Sequence, residues 1–285
     1  MLVTLATPQR TLAAPIELSG EAVFTGGSAK VRVSPADAGF GIRVQSTEHP
    51  KVPPTPTHAA HLVTHPNHST LAAPGNPDVT VHMVEHVLSA LHGMGIDNAL
   101  IAVTGGECPL GDGSALPYVE AFLKVGIVAQ KAARQAIRLT ESKRFEEGGS
   151  SLSVEPAPAD LLEIEYTLMY DHPVIGRSQI FHRVTPERYA EAIAPARTFI
   201  PIEEAERMVK AGLLRSTDAT QCLVVYPSGT NHRLRVKNEF AAHKVLDLIG
   251  DLRLAGYPVL GRVKAIRSGH ALNHRAAQWI AETQI

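Results

Sequence analysis

At 285 residues and 44% hydrophobic content, the chain is long enough for one large or two medium globular domains. Its 27 Lys and Arg against 28 Asp and Glu give a net charge of −1, which excludes the basic footprint of a nucleic-acid binder. Apolar runs fall short of the roughly 18 residues a membrane helix needs, the opening MLVTLATPQRTLAAP lacks the basic start and apolar core of a signal peptide, and Cys108 and Cys222 lie far apart in no C-x-x-C pattern. The expectation is a cytoplasmic protein with no stable membrane anchor, no disulfide framework, and two buried structural thiols.

The elements read in order as follows. AKVRVSPA, with Val31 and Val33, and FGIRVQS, with Phe40, Ile42 and Val44, alternate in the way of half-buried strands. The Pro- and His-rich run PKVPPTPTHAAHLVTHPNHS has little periodicity and reads as loop. From about Thr80 to His92, a stripe at Val84, Val87, Leu88 and Leu91 predicts a helix stopped by Gly93 and Gly95. Its start, VHMVEH, spaces His82, Glu85 and His86 as H-x-x-E-H, the two-histidine pattern of one class of zinc peptidases. That class needs a further Glu ligand downstream, for which Glu239 is the nearest candidate. NALIAVTGG follows as strand and LPYVEAFLKVG as a second short helix.

After a join near VGIVAQKAARQ the order repeats. QAIRLTESKRF, GSSLSVEP and LLEIEYTLMY read as strands, with Gly148-Gly149 as a hairpin turn. TPERYAEAIA is a helix with Thr185 as N-cap and Pro186 at its first position. QCLVVYPSG is a strand, NEFAAHKVLDLIGDLRLAG a helix ending at Gly256, and YPVLGRVKAIRS the return strand. The fold class is therefore α+β, as two duplicated units over 1–129 and 130–285, each a helix layer on a mainly antiparallel sheet.

Chemistry concentrates at three places. Besides VHMVEH, the long second helix carries His243, Asp247 and Asp251 every four residues, opposite the core stripe Val245, Leu248, Ile249 and Leu252. That face is either solvated or turned into a cleft, where His and Asp four apart reach one metal ion. His270, in SGHALNH, is either a loop histidine or a proton donor beside such a site, and His274 reads the same two ways.

VEHVLSALHGMGIDNALIAVTGGECPLGDGSALPYVEAF, NEFAAHKVLDLIGDLRLAGYPVLG and SGHALN, with ARTF (196–199), DHPVI (171–175) and QRTL near the start, resemble the UDP-3-O-acyl-N-acetylglucosamine deacetylases, zinc amidases of the lipid A pathway. The resemblance covers nearly the whole chain. It implies two β-α-α-β domains with the active site in the cleft between them. It also implies Zn2+ (Fe2+ being the other candidate) on His86, His243 and Asp247, with Glu85 as general base and His270 as acid or oxyanion-stabilising cation. Asp251 would orient His270, Thr198 would bond the oxyanion, and Lys244 and Phe199 would bind substrate. The implied substrate is an acylated UDP-amino sugar, acted on by a monomer, with Leu168, Met169, Ile175, Ile180 and Ile193 as candidate lining for the acyl chain. His82 stands where the family has a small hydroxyl residue. Further departures are Phe24 for the His of L-H-T-G, Met83 for the Thr before VEH, and LLRSTDATQC, with Arg215, for a Gly-Gly-Ser segment. They leave open a deacetylase of another N-acyl sugar or nucleotide sugar, and a metal-binding regulatory protein without catalysis. A dehydratase of related duplicated fold would need more helical His ligands than either half offers.

Overall fold

A computed structural model of the protein describes residues 1–65, 67–212 and 221–284. The first half runs β1 (Leu2–Leu12), β2 (Ile16–Glu21), β3 (Ser28–Pro35), β4 (Ile42–Ser46), β5 (Thr55–Pro56), β6 (Leu62–Val63), β7 (Thr70–Ala73), β8 (Asn76–Val81), α1 (Glu85–Gly93), β9 (Ala99–Thr104) and α2 (Leu116–Val125). The second runs β10 (Ile127–Arg138), β11 (Lys143–Glu147), β12 (Ser150–Glu155), β13 (Leu162–Met169), β14 (Arg177–Arg183), α3 (Pro186–Ala192), β15 (Phe199–Pro201), α4 (Ile202–Lys210), β16 (Leu223–Tyr226), β17 (Gly229–Thr230), α5 (Glu239–Leu252), β18 (Val259–Ile266) and α6 (His270–Thr283).

The duplication is visible in strand pairing. In the first half the hairpin β2–β3 is followed by β9 antiparallel to β3, and β4 lies parallel to β9. In the second, the hairpin β11–β12 is followed by β18 antiparallel to β12, and β13 lies parallel to β18. Each return strand comes after one helix and before another: α1 and α2 flank β9, and α5 and α6 flank β18. The fold is thus α+β with mostly antiparallel sheets. One strand crosses between the halves. β1 pairs antiparallel with β10, which lies parallel to the start of β18, so the first strand of the chain sits in the second sheet. The 129/130 join falls within β10.

The equivalent helices α1 and α5 pack on each other at the centre. Val87, Leu88 and Leu91 from one, and Val245, Leu248, Ile249 and Leu252 from the other, are fully buried. Each such side chain contributes about 1.5–3 kcal/mol by leaving water. The helices approach to backbone contact at Gly250, where a Cβ would lie 2.2 Å from the Glu85 carbonyl oxygen. Gly93 makes a similar opening for the ring of Tyr189, whose hydroxyl donates to Ser89 Oγ (2.8 Å).

Three local expectations are corrected. The helix expected from Thr80 begins at Glu85, because Asn76–Val81 pairs with β7 as a strand and Met83 takes φ 60°, outside the helical region. SGHALNH is no turn followed by loop: His270 opens the 14-residue helix α6, whose stripe is Leu272, Ala276, Ala277 and Ile280. QAIRLTESKRF holds the end of one strand and the start of the next. The helix 186–192, capped by the Thr185 side chain accepting from Arg188 N, follows expectation. Arg215 lies outside the described residues.

Candidate active site

Backbone constraints at both helix starts build the site. Before α1, His82 bonds the loop that follows β9: its N–H donates to Gly106 O (2.9 Å) and its carbonyl accepts from Cys108 N (3.0 Å). The buried Glu107 carboxylate accepts from the N–H groups of Val23 (2.8 Å), Phe24 (3.1 Å) and Thr25 (2.9 Å), so the 23–25 turn is held against the same loop. At the first residue of α5, Glu239 is fully buried and takes Arg197 Nε (2.8 Å) and Arg197 N (3.1 Å). That pairing excludes Glu239 as a peptidase-type metal ligand. It also pins Ala196, Thr198 and Phe199 beside α5, aided by Thr198 N donating to Gly113 O (2.7 Å).

The solvated reading of the α5 face does not hold. His243 (2% exposed), Asp247 (3%) and Asp251 (0%) face the interior beside α1. His86, His243 and Asp247 each offer a ligand atom, all within 4.8 Å of one another. Asp247 Oδ1 lies 3.4 Å from His243 Nε2 and 3.8 Å from His86 Nε2, while Oδ2 accepts from Lys244 Nζ (3.0 Å). His243 Nδ1–H donates to Ala196 O (3.1 Å), which leaves the Nε2 lone pair facing Asp247. Burial pushes the His243 ring down to about 3 and lowers His86 as well, so both rings are neutral. Burial opposes the charge of Asp247 too, but the Lys244 and His270 cations outweigh it and hold the carboxyl well below its usual range. Two neutral imidazoles and one carboxylate, with bare donor atoms converging, fit a divalent cation of the Zn2+ or Fe2+ kind.

His82 is elsewhere. It precedes the helix, and its ring meets His68 Nε2 (3.1 Å), Thr70 Oγ1 (3.1 Å) and Thr80 Oγ1 (3.1 Å). The H-x-x-E-H spacing therefore makes no i, i+4 pair, since Met83 turns the chain between the two histidines.

Glu85, on the first turn of α1, is 2% exposed, and burial pushes its carboxyl up to about 8. Across the site, Asp251 Oδ2 accepts from His270 Nδ1 (2.8 Å) and Asn273 Nδ2 (2.9 Å). Burial disfavours a charged His270, but Asp251 raises the ring to about 9. Glu85, His86, His243, Asp247 and His270 line one cavity of about 280 Å³, with Lys244, Thr198 and Phe199 on its wall. Phe199 stacks edge-on against Phe240 (4.9 Å) and Tyr170 (5.6 Å), with Lys244 Nζ 5.6 Å from its ring centre. Asp251 stands behind His270. The nine residues to which the resemblance assigns catalytic, substrate-binding or metal roles thus gather in one place.

Two of the departures also face this cavity. Met83 and Phe24 line it, and Phe24 stacks on His68 at 4.4 Å. Of the candidate acyl-lining residues, Ile175 and Ile193 are buried in the core, Ile180 packs against it, and Leu168 and Met169 line the larger cavity next door; the apolar wall beside the cluster comes from Ile200, Pro201 and Met208 on β15 and α4. A second cavity of about 730 Å³ adjoins through Tyr170, Lys244 and Gly269, and carries Arg177 and Arg267. Sequence reasoning missed Ser69, which bonds both Glu85 and Asp251 from inside the presumed loop. No local pattern signals it. The same reasoning missed Asn273 as well, although the 3.6-residue stripe of α6 could have placed it on the inner face of a helix.

The family model described as LpxC: UDP-3-O-acyl N-acetylglycosamine deacetylase matches residues 9–282. Proteins named UDP-3-O-acyl-N-acetylglucosamine deacetylase from Brucella ovis, Brucella canis and Brucella melitensis biotype 2 are 33% identical over 273 residues, covering 95% of this chain and 94% of theirs.

Proposed function

The chain belongs to the UDP-3-O-acyl N-acetylglycosamine deacetylase family, and on that premise we propose that it releases acetate from UDP-3-O-acyl-N-acetylglucosamine in lipid A biosynthesis, with the residue roles below. The observation that carries the roles is the convergence of His86, His243 and Asp247 with Glu85 and His270 around one cavity. We assign the first three as ligands of Zn2+. Such an ion supplies Lewis-acid polarisation of the amide carbonyl and makes water a stronger acid. Glu85 takes the proton from the attacking water, a task suited to a carboxyl titrating near the working pH. The amide carbon becomes tetrahedral, and the protonated His270 and the Thr198 hydroxyl stabilise the negative oxygen. The C–N bond then breaks, the proton that Glu85 took from the water goes to the departing amine, and acetate leaves. Asp251 keeps His270 cationic and oriented.

The remaining surfaces suit the rest of the substrate. Arg177, Arg267 and Lys244 give the larger cavity the donors a diphosphate requires. Phe199 packs on the sugar, and Ile200, Pro201 and Met208 receive the acyl chain, each methylene of which contributes about 0.8 kcal/mol on burial. We read the enzyme as a cytoplasmic monomer, with units divided at 129/130 and β1 lent to the second. No helix among the described residues is long and apolar enough to cross a membrane. The test is acetate release by the zinc-loaded protein from UDP-3-O-acyl-N-acetylglucosamine, with simpler N-acetyl sugars in parallel. Faster turnover of the simpler sugars overturns the substrate assignment.

A further inference from the structure

Ser69 is fully buried between β6 and β7, and all its polar groups are engaged with the site. Its N–H donates to Glu85 Oε2 (3.0 Å), and its carbonyl accepts from Val84 N (3.2 Å) at the start of α1. Its hydroxyl lies 2.6 Å from Asp251 Oδ1 and 2.6 Å from His274 Nε2. A serine hydroxyl has one proton, and the ionised carboxylate can only accept. The proton therefore goes to Asp251, and Ser69 Oγ accepts from His274 Nε2–H. Asp251 Oδ2 is already bonded to His270 and Asn273. A chain of donors thus runs from His274 through Ser69 to Asp251, whose other oxygen holds His270, and His274 Nε2 also lies 3.3 Å from Asp251 Oδ1 itself. Asp251, His270 and His274 have the composition of a metal cluster, but these bonds already engage both carboxylate oxygens.

We propose that Ser69, with His274 behind it, is the positioning residue that holds the Glu85 carboxylate and the Asp251–His270 pair in one frame. The peptide N–H of Ser69 fixes the base supplied by α1. Its hydroxyl fixes the pair supplied by α5 and α6. His274 aims that hydroxyl. Neither residue contacts the ligand set, so their contribution is to turnover and not to metal or substrate affinity. The proposal rests on the roles given to Glu85 and His270 above.

The experiment compares wild type, Ser69→Ala, Ser69→Thr, His274→Ala and the Ser69→Ala/His274→Ala double variant in zinc content, kcat and KM for acetate release. It also follows the His270 Nδ1–H resonance by NMR without substrate. Ser69→Ala is expected to lose about ten- to a hundredfold in kcat, with KM and zinc unchanged, and Ser69→Thr to recover most of that. His274→Ala is expected to lose less, and the double variant less than the product of the two single losses, because both residues act on the same Asp251 oxygen. Losses that multiply, a change confined to KM, or an unchanged kcat overturn the proposal. The resonance is expected to shift in Ser69→Ala, and an unmoved resonance overturns the proposal whatever the substrate. Absence of acetate release by the wild type overturns the functional reading instead. If Ser69→Ala does not fold, the partly exposed His274 carries the test, and a His274→Ala variant with wild-type kcat and resonance refutes it.

Discussion

Substituting Gly250 by alanine puts one methyl group where α1 and α5 cross. The added carbon would lie 2.2 Å from the Glu85 carbonyl oxygen, 2.9 Å from its carbonyl carbon and 3.1 Å from its Cα. A comfortable C···O approach is about 3.3 Å, so the helices must part by about 1 Å. The obstruction is backbone, with no side chain that could swing aside. Alanine in a helix interior gains about 1 kcal/mol over glycine, while forcing a carbon into a packed core costs about 1–3 kcal/mol. The net expectation is a loss of up to about 2 kcal/mol in stability. Function should suffer more. Glu85 and His86 ride on α1, and His243 and Asp247 on α5, so the parting opens the ligand set and displaces the base. A misplacement of about 1 Å can lower a rate by about 100-fold. Thermal unfolding, zinc affinity by chelator competition, and kcat measure the three effects. A Gly250→Ala protein as stable as wild type, with wild-type zinc affinity, would refute this account of the crossing.

His243→Ala and Asp247→Ala should each abolish stoichiometric zinc binding, since three ligands rarely hold the ion as two, while His82→Ala retains it; elemental analysis decides. Glu85→Gln should keep zinc and lose about 100- to 10,000-fold in kcat, a result read from the same metal assay and a rate measurement. His270 is raised from 6.5 to about 9. Its ion pair with Asp251 therefore adds stability in full below pH 6.5, and that contribution is lost as pH rises through about 9; activity needing the cation falls over the same limb. A basic limb that persists unchanged in the residual activity of His270→Gln removes His270 from that role.

The sequence made α5 legible as a helix, because its apolar stripe recurs at helical spacing, and the repeated strand–helix–strand order revealed the duplication. The ligand set was less legible. The face of α5 bearing His243 and Asp247 could not be told from a solvated one by periodicity, because burial there depends on α1, more than 150 residues away. The H-x-x-E-H spacing misled for a backbone reason: a positive φ at Met83 is invisible to a pattern count, and it removes His82 from the helix. His270 was singled out while its helix went unseen, since α6 is amphipathic with small residues such as Ala276 and Ala277 on its inner face. Ser69 left no trace, because its partners come from α1, α5 and α6 and share no spacing with it.

The pairing of β1 with β10 has a consequence for how the chain is made. Leu12 meets Ile127, and Leu2 meets Ile137, so β1 has no partner until the second half begins to be made. At about 5–20 residues per second, that wait lasts on the order of 6–25 s, and β18, which anchors β10 to its sheet, comes later still. During synthesis β1 is an unpaired edge, and its sequence suits exposure: LATPQRT carries a proline and an arginine among its apolar residues, features that discourage edge-to-edge association. The first half can fold its own sheet in the meantime, since β2, β3, β4 and β9 take no ladder hydrogen bond from β1. Closure of the N-terminal strand is therefore expected among the last steps of folding, completing the molecule only when both halves exist.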